Sequence, residues 1–401
     1  MKIKLGVFFG GKSVEHEIAV ITTSQALEAI NKEKYEIVPI YISKKGVLYT
    51  GDALLDLQEF KDMDALLKKC TKVAVVNDGE SVKVLKVPAP TFGKQVINTI
   101  DVAFPIVHGT NCEDGTVAGY LNLLGLPFIG PDVVSSGLGM DKIFMKKVLK
   151  ESGIPVVNYY SFYSEEYVND EEKIRKEIND KLKYPLICKP GNTGSSVGIK
   201  KVSTPEELAE KIEYSMQFSD RILVEECVQN LKEINCSVMG NLNETEASVC
   251  EEPYFSDEIL SYTDKYMGGS KTGDSEEKGM QVSDKKLPAD IPDEKRDEIQ
   301  HLAQETFKLL GCSGVGRIDF LMDKETGKVY VKEINTIPGA LSYYLWEATG
   351  KSFEKEIDEL VQIALRRDRD KNKLTFSYDQ NIFALSGGAK GGTKGSKVSK
   401  K

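Results

Sequence analysis

Histidine is scarce in this 401-residue chain and paired cysteine is lacking: there are three histidines, and seven cysteines at 70, 112, 188, 227, 236, 250 and 312. Three imidazoles give little material for a histidine-based metal or nucleophile site. An odd cysteine count without C-x-x-C spacing argues for reduced, mostly buried thiols and against disulfides or a zinc centre. No apolar run is long enough to cross a bilayer. The chain enters a strand-like run at once, with no signal-peptide pattern, so a cytoplasmic protein with no membrane partner is expected. Positive charge is also short. Lys plus Arg is 53 against 62 for Asp plus Glu, a net −9, which argues against a nucleic-acid partner. The length exceeds one ordinary core, and two or three domains are expected.

What is present centres on the stretch from Ser313 to Gly339. Two apolar, alternating runs, Val315 to Met322 and Lys328 to Asn335, flank a polar, glycine-containing loop and predict a hairpin. Alternation puts Arg317 and Asp319 on one face of the first strand, and Glu333 and Asn335 on one face of the second. If the strands pair symmetrically, three oxygen-bearing side chains and one guanidinium gather where a core sheet would carry valine. Their burial needs a compensating charge, and hard oxygen ligands suit Mg2+, which is commonly shared with substrate phosphates.

Upstream, residues 3 to 9 predict a continuous apolar strand, turned by Gly10-Gly11-Lys12-Ser13 into a helix from about Val14 to Asn31. Such a turn lets N–H groups approach an anion, although it is not G-x-G-x-x-G. Glu15 lies where a helix start favours a carboxylate, and His16 beside it reads as a surface residue. A strand at 35 to 43, a variable polar stretch to about 95 and a strand at 102 to 107 follow. Alternating strands and helices predict a parallel sheet with ligands beyond its C-terminal strand ends, where His108-Gly109 falls. PLICKPGNTGSSVGI, 185 to 199, predicts a buried strand ending in Lys189, then a glycine- and hydroxyl-rich loop suited to phosphates. It lacks the Walker spacing. Residues 254 to 285 are polar and glycine-broken, as lids and binding loops are. Helices are expected over 292 to 310 and 353 to 368, and disorder over 385 to 401.

Several separated motifs in order carry a resemblance: GGKSVEHE, HGTNCEDGTVAGYL, GPDVVSSGLGMDK, ICKPGNTGSSVGI, DKY, GRIDF and EINTIPG. Over about residues 3 to 368 the chain resembles the D-alanine-D-alanine ligase family of the ATP-grasp superfamily. The resemblance implies an α/β and α+β chain, an ATP-grasp fold preceded by a Rossmann-like parallel-sheet domain. The expected divisions are 1–135 for the N-terminal substrate domain, 136–228 for the central lid domain, 229–370 for the C-terminal domain and 371–401 for an extension.

The implied reaction is phosphorylation of a D-alanine carboxylate by ATP, then attack of a second D-alanine amine, for peptidoglycan and cell-wall synthesis and so for cell shape. By resemblance, Asp319, Glu333 and Asn335 match ligands of two Mg2+ (or Mn2+) ions. Arg317 and the Gly339 amide match the oxyanion stabilisers, and Lys142, Lys189 and Lys265 the phosphate lysines. Glu225 or Glu226, with Val228, matches the adenine hinge and Glu233 the ribose acid. Glu15 matches the anchor of the first substrate's ammonium, and His108 the residue near its carboxylate. Glu15, Ser195 and Tyr266 match a hydrogen-bonded triad over the site, in which tyrosine goes with an amine acceptor. A homodimer acting on amino-acid substrates is implied.

Two departures stand out. The hinge, VEECVQNLKE, is one residue longer than the family spacing, so its register stays open between Glu225 and Glu226. The family's Ser-Leu pair, which receives the second substrate's carboxylate, is matched by Tyr344 and Leu345; alternatively the tyrosines are core aromatics and Ser342 holds that carboxylate. A different acceptor is the competing expectation.

Overall fold

A computed structural model describes residues 2–194, 197–253 and 285–377. The first part of the chain builds a seven-stranded sheet from β1 (Ile3–Gly10), β2 (Tyr35–Ile42), β3 (Leu48–Thr50), β4 (Thr71–Asn77), β5 (Val82–Lys86), β6 (Val96–Ile100) and β7 (Val102–Val107), ordered β6-β5-β4-β3-β2-β1-β7. Its helices are α1 (His16–Ala29), α2 (Met63–Lys69) and α3 (Thr116–Leu123). Leu5, Val7, Phe8 and Phe9 are all buried, so both faces of β1 are covered, as its unbroken apolar run requires. Among the described strands of this sheet, β1 pairs in parallel with β2 and with β7. The polar stretch to about 95 is mostly ordered and extends the sheet through antiparallel β3 to β5, with β6 just beyond it. Its strands are short and half-polar because one face meets water.

Helices α4 (Val133–Met140) and α5 (Lys142–Glu151) lead to a four-stranded sheet of β8 (Tyr159–Tyr163), β9 (Leu186–Pro190), β10 (Lys200–Val202) and β11 (Arg221–Glu226), ordered β10-β9-β11-β8. Helices α6 (Ser164–Asn169), α7 (Glu171–Lys181) and α8 (Leu208–Met216) belong to this part, and Ile174, Ile178, Leu208 and Ile212 pack on its strands.

The third sheet comprises β12 (Leu231–Gly240), β13 (Thr245–Pro253), β14 (Lys285–Lys286), β15 (Gly314–Asp323) and β16 (Val329–Asn335), ordered β14-β13-β12-β15-β16. Helix α9 (Asp293–Leu309) covers its apolar face with Ile299, Ala303 and Phe307. The opposite face carries the polar residues of the hairpin. Helices α10 (Tyr343–Thr349) and α11 (Phe353–Lys371) return to the first sheet, where Trp346, Ile357, Leu360 and Val361 join its core. Residues 254–284 of the expected 254–285 binding loop and the whole 385–401 tail lie outside the described residues.

Candidate active site

The hairpin pairs Arg317 with Asn335 and Asp319 with Glu333. On the other side of β15, Asp319 faces Asn235, which in turn faces Glu251. One row, Glu251, Asn235, Asp319 and Glu333, therefore crosses four strands on a single face. Arg317 grips Asp319 with two parallel bonds of 2.7 and 2.9 Å, and Asn335 Nδ2 donates to Asp319 Oδ2 at 3.2 Å. Burial would lower the Arg317 pKa, but the Asp319 carboxylate outweighs it, so the guanidinium stays charged. The donor set offered by Asp319, Glu333 and Asn335 is all oxygen. Among the described residues no three His, Cys, Asp or Glu gather closely enough to hold an ion unaided. Two carboxylates and an amide fit Mg2+ when phosphate oxygens complete its shell.

Lys332 belongs to this corner, and strict alternation hid it. Pairing steps from Asp319↔Glu333 to Phe320↔Val331, which leaves Lys332 as the extra residue of a bulge. Its ammonium donates to Glu233 Oε2 at 2.9 Å. Burial would lower its pKa, but Glu233, Glu333 and Asp319 raise it overall.

A second cluster sits where α5, β9 and β11 meet. Glu225 accepts an ion pair from Lys146 at 2.8 Å and from Lys189 at 2.5 Å. Burial would raise the Glu225 carboxyl, yet the two lysines hold it down at about 2. Lys146 is fully buried, and desolvation lowers its pKa. Nothing at sequence level singled it out, though it lies one helical turn past Lys142 and so shares its face. Lys142 Nζ donates to Thr193 O at 2.8 Å and lies 3.4 Å from Glu333 Oε2, bridging the glycine loop to the hairpin. Glu226 points the other way, accepting from Asn158 Nδ2 and the Lys183 N–H at 2.9 Å each. Val228 follows, half-buried.

The third locus joins the tips of β1 and β7 to the turn after β16. Gly10 and Gly11 take φ of 89° and 109°, and a Cβ on Gly11 would fall 2.2 Å from Cys112 Sγ. Glu15 packs between two backbones: a Cβ on Gly109 would lie 2.4 Å, and one on Gly194 2.9 Å, from Glu15 Oε2. A cavity of about 270 Å3 opens beside it, lined by Lys12, Ser13, Val14, Lys44, Thr110 and Asn111. His108 Nδ1 donates to Ile337 O at 2.9 Å, since a carbonyl only accepts. Its Nε2 faces Thr22 Oγ1 at 3.2 Å, and that oxygen accepts the Ala340 N–H at 3.2 Å. Glu113 Oε1 takes the N–H groups of Thr336 and Ile337 at 3.0 Å each. Glu113 stood in the HGTNCEDG segment, and its Oε2 accepts the nearby Gly109 N–H, but the partners of Oε1 lie more than 200 positions away. His16, expected at the surface, is buried instead, because Gly11 O at 2.7 Å and Tyr41 Oη at 3.0 Å take both ring nitrogens.

These bonds clamp a costly turn. After Gly339, the residues Ala340, Leu341 and Ser342 all adopt left-handed backbone, at φ of 52°, 52° and 57°. Side chains disfavour that region by about 1 kcal/mol or more each, and such strain persists where surrounding structure imposes it. Beyond the turn, Ser342 and Leu345 have no exposed surface. Tyr343 stacks on Phe353 with ring centroids 4.7 Å apart, and Tyr344 Oη donates to Glu251 Oε1 at 2.8 Å. Ser195, Lys265 and Tyr266 lie outside the described residues.

A lysine-bearing four-stranded sheet set against an acidic sheet face, behind a partly parallel N-terminal sheet, defines the ATP-grasp ligase class. Family models described as "D-ala D-ala ligase N-terminus" and "D-ala D-ala ligase C-terminus" match residues 4–131 and 148–362, and the chain belongs to the D-alanine-D-alanine ligase family. It is 40% identical over 387 residues to a D-alanine--D-alanine ligase of Thermosipho melanesiensis, covering 96% of this chain and 99% of that one. It is similarly 40% identical over 372 residues to D-alanine--D-alanine ligase B of Clostridium tetani, covering 91% and 94%. Among solved structures, the D-alanine-D-alanine ligase from Coxiella burnetii superposes with a TM-score of 0.77 at 27% identity, covering 96% of this chain and 98% of that one. The VanG D-Ala:D-Ser ligase from Enterococcus faecalis gives 0.76 at 31%, covering 91% and 100%.

Proposed function

We propose that this chain joins two D-alanines into D-alanyl-D-alanine at the expense of ATP, through an acylphosphate, for peptidoglycan synthesis. The observation that carries the reading is the Arg317, Asp319 and Asn335 cluster facing Glu333 and Lys142. Lys142 and Lys189, with Lys265, hold the phosphates. Glu225, on the inward side of β11, and Val228 receive the adenine, while Glu226 ties the start of the hinge to Asn158 and to the Lys183 N–H before β9. Glu233, steadied by Lys332, meets the ribose. Asp319, Glu333 and Asn335 would hold two Mg2+ or Mn2+, and the ions would supply positive charge to neutralise the transferred phosphoryl group.

Glu15 anchors the first D-alanine's ammonium at the β1 tip, with Ser195 and Tyr266 completing its triad. His108 stands by that substrate's carboxylate and, with Thr22, fixes the turn that presents the Gly339 N–H. Arg317 and that N–H stabilise the oxyanion formed when the second amine attacks, a preorganised interaction often worth about 3 kcal/mol per donor. The presence of three sheets supports a division into three domains near 1–135, 136–228 and 229–370. Among the described residues no helix is long and apolar enough to cross a membrane, and we place the enzyme in the cytoplasm. Exposed Leu123, Val133 and Val134 on α3 and α4 support pairing into a homodimer.

A second reading, a different acceptor such as D-serine, is favoured by the Tyr344 bond to Glu251 and by the likeness to a D-Ala:D-Ser ligase. Measuring ADP release with D-alanine alone, then with D-serine, D-lactate or L-amino acids added, separates the two. D-alanine alone is expected to suffice. No release until another acceptor is supplied would overturn the first reading.

A further inference from the structure

The residues aligned with the acceptor's carboxylate are ill placed to receive it. Ser342 and Leu345 are sealed from solvent, and the Tyr344 hydroxyl already donates to Glu251. An amino-acid acceptor must nevertheless bring a carboxylate into this flank. Its amine attacks a carbon held at Arg317 while phosphate departs towards Asp319 and Glu333. The rest of the acceptor therefore lies on the far side of Arg317, where Asn235 and Glu251 continue the polar row. An anion brought there without a cation would be strongly disfavoured.

Lys285 supplies that cation. Its ammonium lies 3.3 Å from the centroid of the Tyr344 ring and 3.6 Å from Glu251 Oε2, and its side chain keeps 19% of its surface. The ring face and the carboxylate fix its position. The distance to Glu251 exceeds a hydrogen bond, and an ammonium has three donors to direct. Glu251 does not depend on Lys285 for its own orientation, because Tyr344 at 2.8 Å and Asn235 Nδ2 at 2.9 Å both hold Oε1. We propose that Lys285 receives the carboxylate of the acceptor amino acid, with Glu251 and the Tyr344 ring as its positioning groups. This rests on the ligase reading above and assigns its second substrate site.

The test uses the full chain with ATP and D-alanine. Lys285→Met should raise the second-site KM for D-alanine roughly 10- to 100-fold, the loss of one charge-assisted hydrogen bond, and leave the KM for ATP unchanged. Lys285→Arg, which keeps the charge, should recover most of that loss. D-alaninamide, an acceptor without a carboxylate, separates recognition from a structural role. The wild type should discriminate against it, and Lys285→Met should not. A structural role would lower kcat with both acceptors and preserve the discrimination. An unchanged second-site KM in Lys285→Met, or equal use of both acceptors by the wild type, overturns the proposal. The wild-type comparison needs no variant, so equal use of both acceptors overturns the proposal even where Lys285→Met fails to fold, and Lys285→Arg then carries the positive arm. A wild type that releases no ADP with any amino acid sinks the ligase reading instead.

Discussion

Glu225 and Glu356 are both buried glutamates, and the protein treats them in opposite ways. Glu225 sits between Lys146 and Lys189, and its carboxyl is held at about 2 despite its burial. Glu356, in the first turn of α11, has no exposed surface and no hydrogen-bond partner on either oxygen among the described residues. Burial pushes its pKa well above the usual value. Depth alone therefore does not mark a functional carboxylate. What distinguishes the site is that its buried charges come with fixed counter-charges, whose joint desolvation is offset because each neutralises another.

Removing one member of the paired cluster gives the largest expected effect. Glu225→Gln leaves two buried ammonium groups without their anion and should destabilise the fold by about 3–5 kcal/mol, read by urea denaturation. The pH dependence has a definite sign. A depressed folded pKa contributes stability above the unfolded value of 4.5 and loses it as pH falls towards about 2. The gap between wild type and variant should close across that window. A variant as stable as wild type at neutral pH would erase the contrast with Glu356.

The next effect is on turnover rather than stability. Arg317→Ala removes the guanidinium that grips Asp319. Loss of one oxyanion donor costs about 10²–10³ in kcat. ATP binding, measured by calorimetry, should persist, because Lys142 and Lys189 remain. Turnover within a few-fold of wild type would detach Arg317 from the chemistry.

The sequence made some of this plain and hid the rest for identifiable reasons. The hairpin of β15 and β16 declared itself because period-two alternation puts Arg317, Asp319, Glu333 and Asn335 on one face without any distant contact. The β1 and β7 tips were equally local, each an apolar run stopped by glycine. Lys332 was hidden by a one-residue bulge that alternation cannot foresee. Glu113, Lys146 and Glu251 were hidden differently, since each acquires its role from residues far along the chain. Glu113 meets Thr336, Lys146 meets Glu225, and Glu251 meets Tyr344. Residues 45 to 95 looked featureless because short antiparallel strands with one wet face carry only a weak pattern.

The smallest effect tests the other half of the contrast. Glu356 lies near Glu347 and Glu359 as well as Lys351, so the local field gives its charge little support. The helix N-terminus favours an anion, but only modestly. Its raised folded pKa means that folding is most favoured below 4.5, where the carboxyl is neutral in both states, and is progressively penalised as pH rises. Glu356→Leu removes the polar atoms while keeping similar bulk. It should stabilise the chain by about 1–2 kcal/mol at neutral pH, since an unpartnered buried polar group costs about that much. The gain should shrink as the solution is acidified through 4.5. Thermal unfolding of both chains at several pH values gives the answer, with ADP release as the control that the site is intact. A variant less stable than wild type at every pH would mean that Glu356 is held by a partner after all, and the two glutamates would no longer be opposites.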